Sequence, residues 1–119
     1  MDAAGPSGDA APQQPKGWRD LHVAWRPLAD LIPSARNART HSPEQVDQIA
    51  ASILEFGWTN PVLVDEAGEI IAGHGRGLAG QKLGGELAPT IMLAGLSPEQ
   101  KTAYRVADNK LALNAGWNN

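Results

Sequence analysis

Between Glu69 and Arg76 the chain drives an apolar run, Ile70-Ile71-Ala72, straight into Gly73-His74-Gly75-Arg76, with a helix-forming stretch behind it. A strand that becomes a helix through two glycines must turn tightly, and the turn leaves the first N–H groups of the helix without internal acceptors. Those N–H groups and the positive end of the helix dipole favour an anion, and Arg76 is spaced to close on phosphate oxygens. The segment therefore calls for a fold that mixes strands and helices. It also makes phosphate, above all that of a nucleotide, the leading ligand. A tight turn without a ligand is the competing reading of the glycines taken alone.

With 119 residues, 42% of them hydrophobic, the chain can bury one modest core. Residues 1–17 are dominated by Ala, Gly, Pro, Gln, Asp and Ser, which cannot offset the entropy lost on ordering, so this stretch is expected to be a disordered tail. The domain is expected over residues 18–119. The tail lacks a basic start followed by an apolar run, and eighteen consecutive apolar residues occur nowhere, so no signal peptide or membrane span is expected and the cytoplasm is the expected compartment. The absence of cysteine excludes disulfides, thiolate metal sites and thiol catalysis. A net charge of −3 argues against broad wrapping of DNA by this chain alone, while leaving room for local basic contacts.

Leu21 to Arg26 alternates apolar with polar or small residues before Pro27, as suits a short edge strand. Residues 34–41 form a polar loop carrying Arg36, Asn37, Arg39 and His41. Ser42-Pro43-Glu44-Gln45 is a helix start, in which Ser42 caps and Gln45 reaches back. Val46, Ile49, Ala50, Ile53 and Leu54 follow at helical spacing, and Gly57 ends the helix. Val62-Leu63-Val64, the turn Asp65 to Gly68, and Glu69 to Ala72 read as a β-hairpin. A short helix is expected from Arg76 to Leu83, stopped by Gly84-Gly85, and then a strand from Pro89 to Leu93. Ser97-Pro98-Glu99-Gln100 repeats the first capping sequence before a last helix toward Leu113. The order β, α, β-hairpin, α, β, α predicts a compact α+β domain: a small mixed sheet with three main helices.

A polar loop with an Arg, a helix ending in Phe56-Gly57, the Asn60-Pro61-Val62-Leu63-Val64 strand, the Gly73-x-x-Arg76 turn and the late pair Asp108-Asn109 together resemble the ParB/sulfiredoxin-like superfamily, specifically its ParB N-terminal domain. The resemblance spans about Ala24 to Trp117. Ala103 to Trp117 is similar to a branch found in phage and bacterial proteins and often fused ahead of a DNA methyltransferase. The resemblance implies binding of CTP with magnesium at Gly73, His74, Gly75 and Arg76. It implies a second phosphate contact from Arg39, metal and phosphate contacts from Asp108 and Asn109, and base recognition along Thr59, Asn60, Pro61 and Val62. A carboxylate and an amide oxygen beside phosphate oxygens suit magnesium. Arg105 and Lys110 are further cations available to offset a triphosphate.

The chain also departs from that pattern. Where the family turn reads Gly-Glu-Arg-Arg, only Gly73 and Arg76 carry over, and a neutral imidazole at His74 cannot serve as a magnesium ligand or strong base as glutamate does. Sulfiredoxin chemistry is excluded for want of a cysteine. With no helix-turn-helix and no Asp-Pro-Pro-Tyr motif, recognition of a DNA site and methyl transfer are expected to come from an attached domain or a partner. His74 has two readings, a phosphate contact or a turn histidine bonded to backbone. Trp18, Trp25, Trp58 and Trp117 are read as core and edge packing, and a zinc site from His22, His41, His74 and Asp108 has no supporting ligand spacing. The leading expectation is a nucleotide-binding module, weakly catalytic or noncatalytic, serving a DNA transaction such as partitioning or DNA modification. A homodimer is left open. A metal-dependent nuclease and a protein-docking module with a vestigial phosphate site are the alternatives.

Overall fold

A computed structural model describes residues 17–34 and 41–114, except for the side chains of Asn109 and residues 111–114. All but the last residue of the expected tail, together with Arg36, Asn37, Arg39 and Trp117, lie outside the described residues. The element order is β1 (Val23–Pro27), a 3-10 turn (Leu28–Asp30), α1 (Pro43–Phe56), β2 (Val62–Val64), β3 (Ile70–Ala72), α2 (His74–Lys82), β4 (Leu87–Met92) and α3 (Pro98–Asn114). This is the α+β domain that the sequence predicts, with three helices and a four-stranded mixed sheet.

Local chemistry explains where the helices begin. Ser42 Oγ accepts from Gln45 N–H at 3.2 Å while Gln45 Oε1 accepts from Ser42 N–H at 3.0 Å, a reciprocal cap with Pro43 at the first helical position. Ser97 and Gln100 repeat the arrangement at the start of α3, at 2.9 and 3.1 Å. Gly57, with φ +86°, ends α1. α2 starts two residues earlier than the expected Arg76, because Gly73 turns left-handed (φ +92°) and His74 already has helical geometry. Gly73 is required there twice over, since a Cβ would also come within 3.3 Å of Val62 Cα.

The strand order is β1-β4-β2-β3. β1 runs antiparallel to β4, from Val23 opposite Ile91 to Pro27 opposite Leu87. β4 runs parallel to β2, and β2 antiparallel to β3 with an irregularity at Leu63/Val64. Val62, Val64, Ile70 and Ala88 make a core with Leu28 and Leu31, against which Trp58 packs. α1 lies on α2 through Ile49, Ala50 and Ala79, flanked by Val46 and Ile53. A separate apolar cluster joins Ile71, Ile91 and Leu93 with Leu63 and Leu96.

The hairpin turn anchors α3. Asp65, only 4% exposed, accepts from the Ala67 and Glu69 N–H groups at 2.9 Å and from Lys101 Nζ at 3.0 Å. Burial alone would raise its pKa, but the Lys101 ammonium and the two N–H groups outweigh that and hold it below the ordinary carboxylate value. One turn further along α3, Arg105 Nε donates to Ile70 O at 3.3 Å and its guanidinium lies 3.4 Å from Glu69.

The expectation that the tryptophans are core and edge packing holds for Trp58, whose indole packs on the core and donates to Asn60 O at 2.9 Å. Trp25 does stand on the edge strand, but 59% exposed, and Trp18 is 68% exposed. Val23, two residues before Trp25 on the same face of β1, is exposed as well. No helix among the described residues is long and apolar enough to cross a membrane.

Candidate functional site

β3 delivers the chain into the glycine turn, and the helix it opens has no side-chain cap. Gly77 N–H bonds Gly73 O, so the N–H groups of His74, Gly75 and Arg76 belong to a first turn without intrahelical acceptors. An anion placed against this turn meets those donors and the positive end of the helix.

Each of the four turn residues is constrained differently. Gly73 supplies the left-handed conformation. Gly75 is buried, and a Cβ on it would fall 2.7 Å from Ile49 Cδ1 and 2.9 Å from His41 Cδ2, so α1 and the His41 imidazole close directly over the turn. His74 is 4% exposed, and its Nε2 accepts from Ser34 N–H at 3.0 Å. Accepting there places the ring proton on Nδ1. Burial, reinforced by the nearby charges of His41 and Arg105, brings its pKa down to about 4, so the ring is neutral at pH 7. Of its two sequence readings, the backbone-bonded histidine is the one observed.

Arg76 is half-buried, and partial desolvation lowers its pKa while the charge of Asp108 acts in the opposite direction. Asp108, in the second half of α3, reaches the same place. Burial raises its pKa, against the opposing effects of Arg76, His41 and the Gly73 N–H. Residues separated by a strand and most of a helix are thus brought together: the turn N–H groups, Arg76, His41 and Asp108. Among the described residues, neither Arg76 nor Asp108 is in an ion pair within 4.0 Å. A half-desolvated guanidinium with open donors, set beside a carboxylate, is an arrangement able to receive an anion together with a cation.

Thr59 and Asn60 are exposed on the segment leading to β2, and Pro61 is half-buried. They adjoin the turn through Val62, which packs under Gly73. Arg39 lies outside the described residues, as does the side chain of Asn109, whose backbone is in α3. Lys110 is exposed, while Arg105 is turned to β3 and Glu69 rather than to the glycine turn. Among the described residues no group of three His, Cys, Asp or Glu side chains could hold a metal.

Two features of the site escape a reading of the sequence. One is the use of Ser34 N–H to fix the His74 ring. The other is Trp58, whose indole lies against Gly80 of α2 while its N–H holds Asn60 O. The signal for the second was present in Gly73, Gly77 and Gly80, which recur at helical spacing and leave one side of α2 without side chains.

The ParB N-terminal domain family matches residues 16–110. The ParB-like nuclease domain-containing protein YnaK of Escherichia coli is 59% identical over 81 residues, which is 68% of this chain and 93% of that protein. The C-terminally truncated chromosome-partitioning protein ParB of Caulobacter crescentus, complexed with CTP-gamma-S, superimposes with a TM-score of 0.64 at 25% identity. That match covers 74% of this chain and 52% of the truncated ParB, so this chain spans about half of it. Sulfiredoxin of Arabidopsis thaliana superimposes with a TM-score of 0.58 at 19% identity over 71% of this chain and 97% of its own, a likeness of fold alone.

Proposed function

Because the chain belongs to the ParB N-terminal domain family, we propose that it is a nucleotide-binding module that takes CTP with magnesium and serves a DNA transaction through an attached domain or partner. The observation that carries this reading is the meeting of Arg76 and the first turn of α2 with Asp108 from α3. The CTP-gamma-S complex of the Caulobacter relative supports the choice of nucleotide.

In this reading the N–H groups of His74, Gly75 and Arg76 and the Arg76 guanidinium bind phosphate oxygens. Thr59, Asn60 and Pro61 border the base. His74 does not contribute charge, since its ring is neutral and held by Ser34; it shapes the turn from within. Asp108, with Asn109 beside it in sequence, fits magnesium in the mode in which phosphate oxygens and water supply most ligands and protein supplies one carboxylate. The ion would neutralise phosphate charge beside Arg76.

A route from occupancy to partner runs through α3. From Pro98 to Asp108 every residue except Lys101, Arg105 and Asp108 is exposed, and Lys101 and Arg105 are tied to the hairpin. A ligand that engages Asp108 biases how this helix lies, and it can shift the equilibrium by as much as its affinities for the two positions differ.

Calorimetric titration with CTP, ATP and GTP in magnesium, on the native chain and on Arg76→Ala, tests the proposal. Saturable CTP binding that Arg76→Ala abolishes, with circular dichroism unchanged, is expected. No binding of any nucleotide up to millimolar concentration, equivalent to a free energy weaker than about −4 kcal/mol, would overturn it. Magnesium-dependent nicking of plasmid that is lost in Asp108→Ala would move the function to a nuclease.

A further inference from the structure

β1 is an outer strand of the sheet, on the opposite side from the glycine turn, and its hydrogen-bonding phase can be fixed. Leu28 N–H donates to Glu86 O at 2.8 Å, continuing the register in which Ala24 faces Thr90 and Arg26 faces Ala88. Opposed residues of an antiparallel pair alternate between exchanging both main-chain bonds and exchanging none. Ala24, Arg26 and Leu28 therefore turn their N–H and C=O groups to β4, and Val23 and Trp25 turn theirs outward. The prolines agree with this phase: Pro89, opposite Trp25, has no N–H to give, and Pro27 falls at an outward position. Among the described residues no main-chain group bonds this outer edge. Val23 and Trp25 share a face on which Leu87 is also exposed, and exposed Leu21 and Trp18 precede them. An open edge and an exposed apolar strip thus coincide, and such edges are usually paired or blocked.

We propose that β1 pairs antiparallel with β1 of a second copy of this chain, about a two-fold axis at Val23. In that register each Val23 exchanges both main-chain bonds with its counterpart and Leu21 does so with Trp25 of the other copy. Asp20 then faces Arg26 of the other copy on the opposite side of the sheet, twice by symmetry. Asp20 is exposed, with His22 Nε2 at 3.3 Å, and Arg26 uses its Nε on Thr90 Oγ1 at 3.1 Å, while among the described residues its terminal nitrogens form no ion pair and can reach across. Centring on Ala24 instead would set Leu21 against Pro27, which lacks an N–H, and His22 against Arg26. Opposite-charge and apolar cross-strand pairs stabilise a sheet, so the Val23 register is selected by both. Two exposed tryptophans with Leu21, Val23 and Leu87 offer on the order of 600 Å² per copy, somewhat under the roughly 800 Å² of a standard interface, before the main-chain bonds are added. The contact is isologous and closes at two copies.

Sedimentation of the full chain from about 5 to about 200 µM, with amide exchange followed at low and high concentration, tests the pairing. The native chain is expected to pass from monomer to dimer, with Leu21, Val23 and Trp25 amides protected only at high concentration. Val23→Pro removes an N–H that β4 does not use, so it should remain monomeric with unchanged circular dichroism. Asp20→Arg should weaken dimerisation at least tenfold. A chain that stays monomeric at the highest concentration overturns the proposal, whether the edge amides are exposed or are protected at every dilution by its own segments. So does a dimer that neither substitution weakens, which would place the contact elsewhere, for example on the exposed Tyr104 and Val106 of α3.

Discussion

The same substitution at two glycines of α2 should have opposite effects on stability. Gly77 and Gly80 are both buried within the helix and neither has a positive φ, so alanine at each gains about 1 kcal/mol from backbone entropy and helix propensity. At Gly77 the added Cβ would sit 3.6 Å from Ile70 Cδ1, an ordinary contact, in a groove shared with Leu28, Leu31 and Leu78. Gly77→Ala is therefore expected to stabilise by about 1 kcal/mol, with burial of the methyl adding to the propensity gain. At Gly80 the Cβ would fall 2.6 Å from Trp58 Cζ3, 2.7 Å from Trp58 Cη2 and 3.2 Å from Leu28 Cδ1. The indole cannot retreat freely, because its N–H is bonded to Asn60 O at 2.9 Å, and losing that bond costs about 1 kcal/mol. Overpacking of about 1–3 kcal/mol added to the lost bond exceeds the propensity gain, and Gly80→Ala should destabilise by about 1–3 kcal/mol. Urea denaturation followed by tryptophan fluorescence and by circular dichroism measures both variants, and Trp58 emission should shift only in Gly80→Ala. In thermal melts each kcal/mol corresponds to about 4–8 °C for a domain of this size. If both alanines stabilise equally, the rigid seating of Trp58 on α2 is wrong, and with it the account of how the Thr59–Pro61 segment is held.

Neutral, buried His74 predicts a pH dependence. Its folded pKa of about 4 lies below the unfolded value of 6.5, so stability is fully present above pH 6.5 and falls as the pH drops toward 4, by about 2 kcal/mol at pH 5. Denaturation series at pH 7 and pH 5 should show this difference, and His74→Gln should show much less of it. Lys101→Met keeps the apolar stem but leaves the Asp65 carboxylate without its cation, and should destabilise by about 1–3 kcal/mol in urea melts at pH 7. Because Asp65 is held below its ordinary pKa, the native chain should lose that contribution as the pH falls through the acid range below about 4, and the gap between native and Lys101→Met should narrow there.

What the sequence could determine was whatever a few neighbouring residues decide together. Two Ser-Pro-Glu-Gln caps, the left-handed Gly57 and Gly73, and the Asp65–Gly68 turn set where helices and strands begin and end, because each acts on backbone within one turn of itself. The pairing of Gly73–Arg76 with Asp108 could be expected only through a family likeness, since nothing in the spacing brings a late helix back to an early turn. Tertiary structure alone decided the strand order and, with it, which residues of one chemical type were buried or shown. Trp58 is seated on Gly80 while Trp18 and Trp25 stay exposed, and Arg105 is drawn to Ile70 O and Glu69 while Arg76 lies half-buried beside Asp108 at the turn. His74, polar and next to two glycines, reads equally as a phosphate contact or as a turn histidine bonded to backbone, and only the fold brings Ser34 N–H to its ring and closes it inside. Those outcomes depend on which surfaces meet across the sheet, and the free energy of that meeting is shared among residues far apart in the chain.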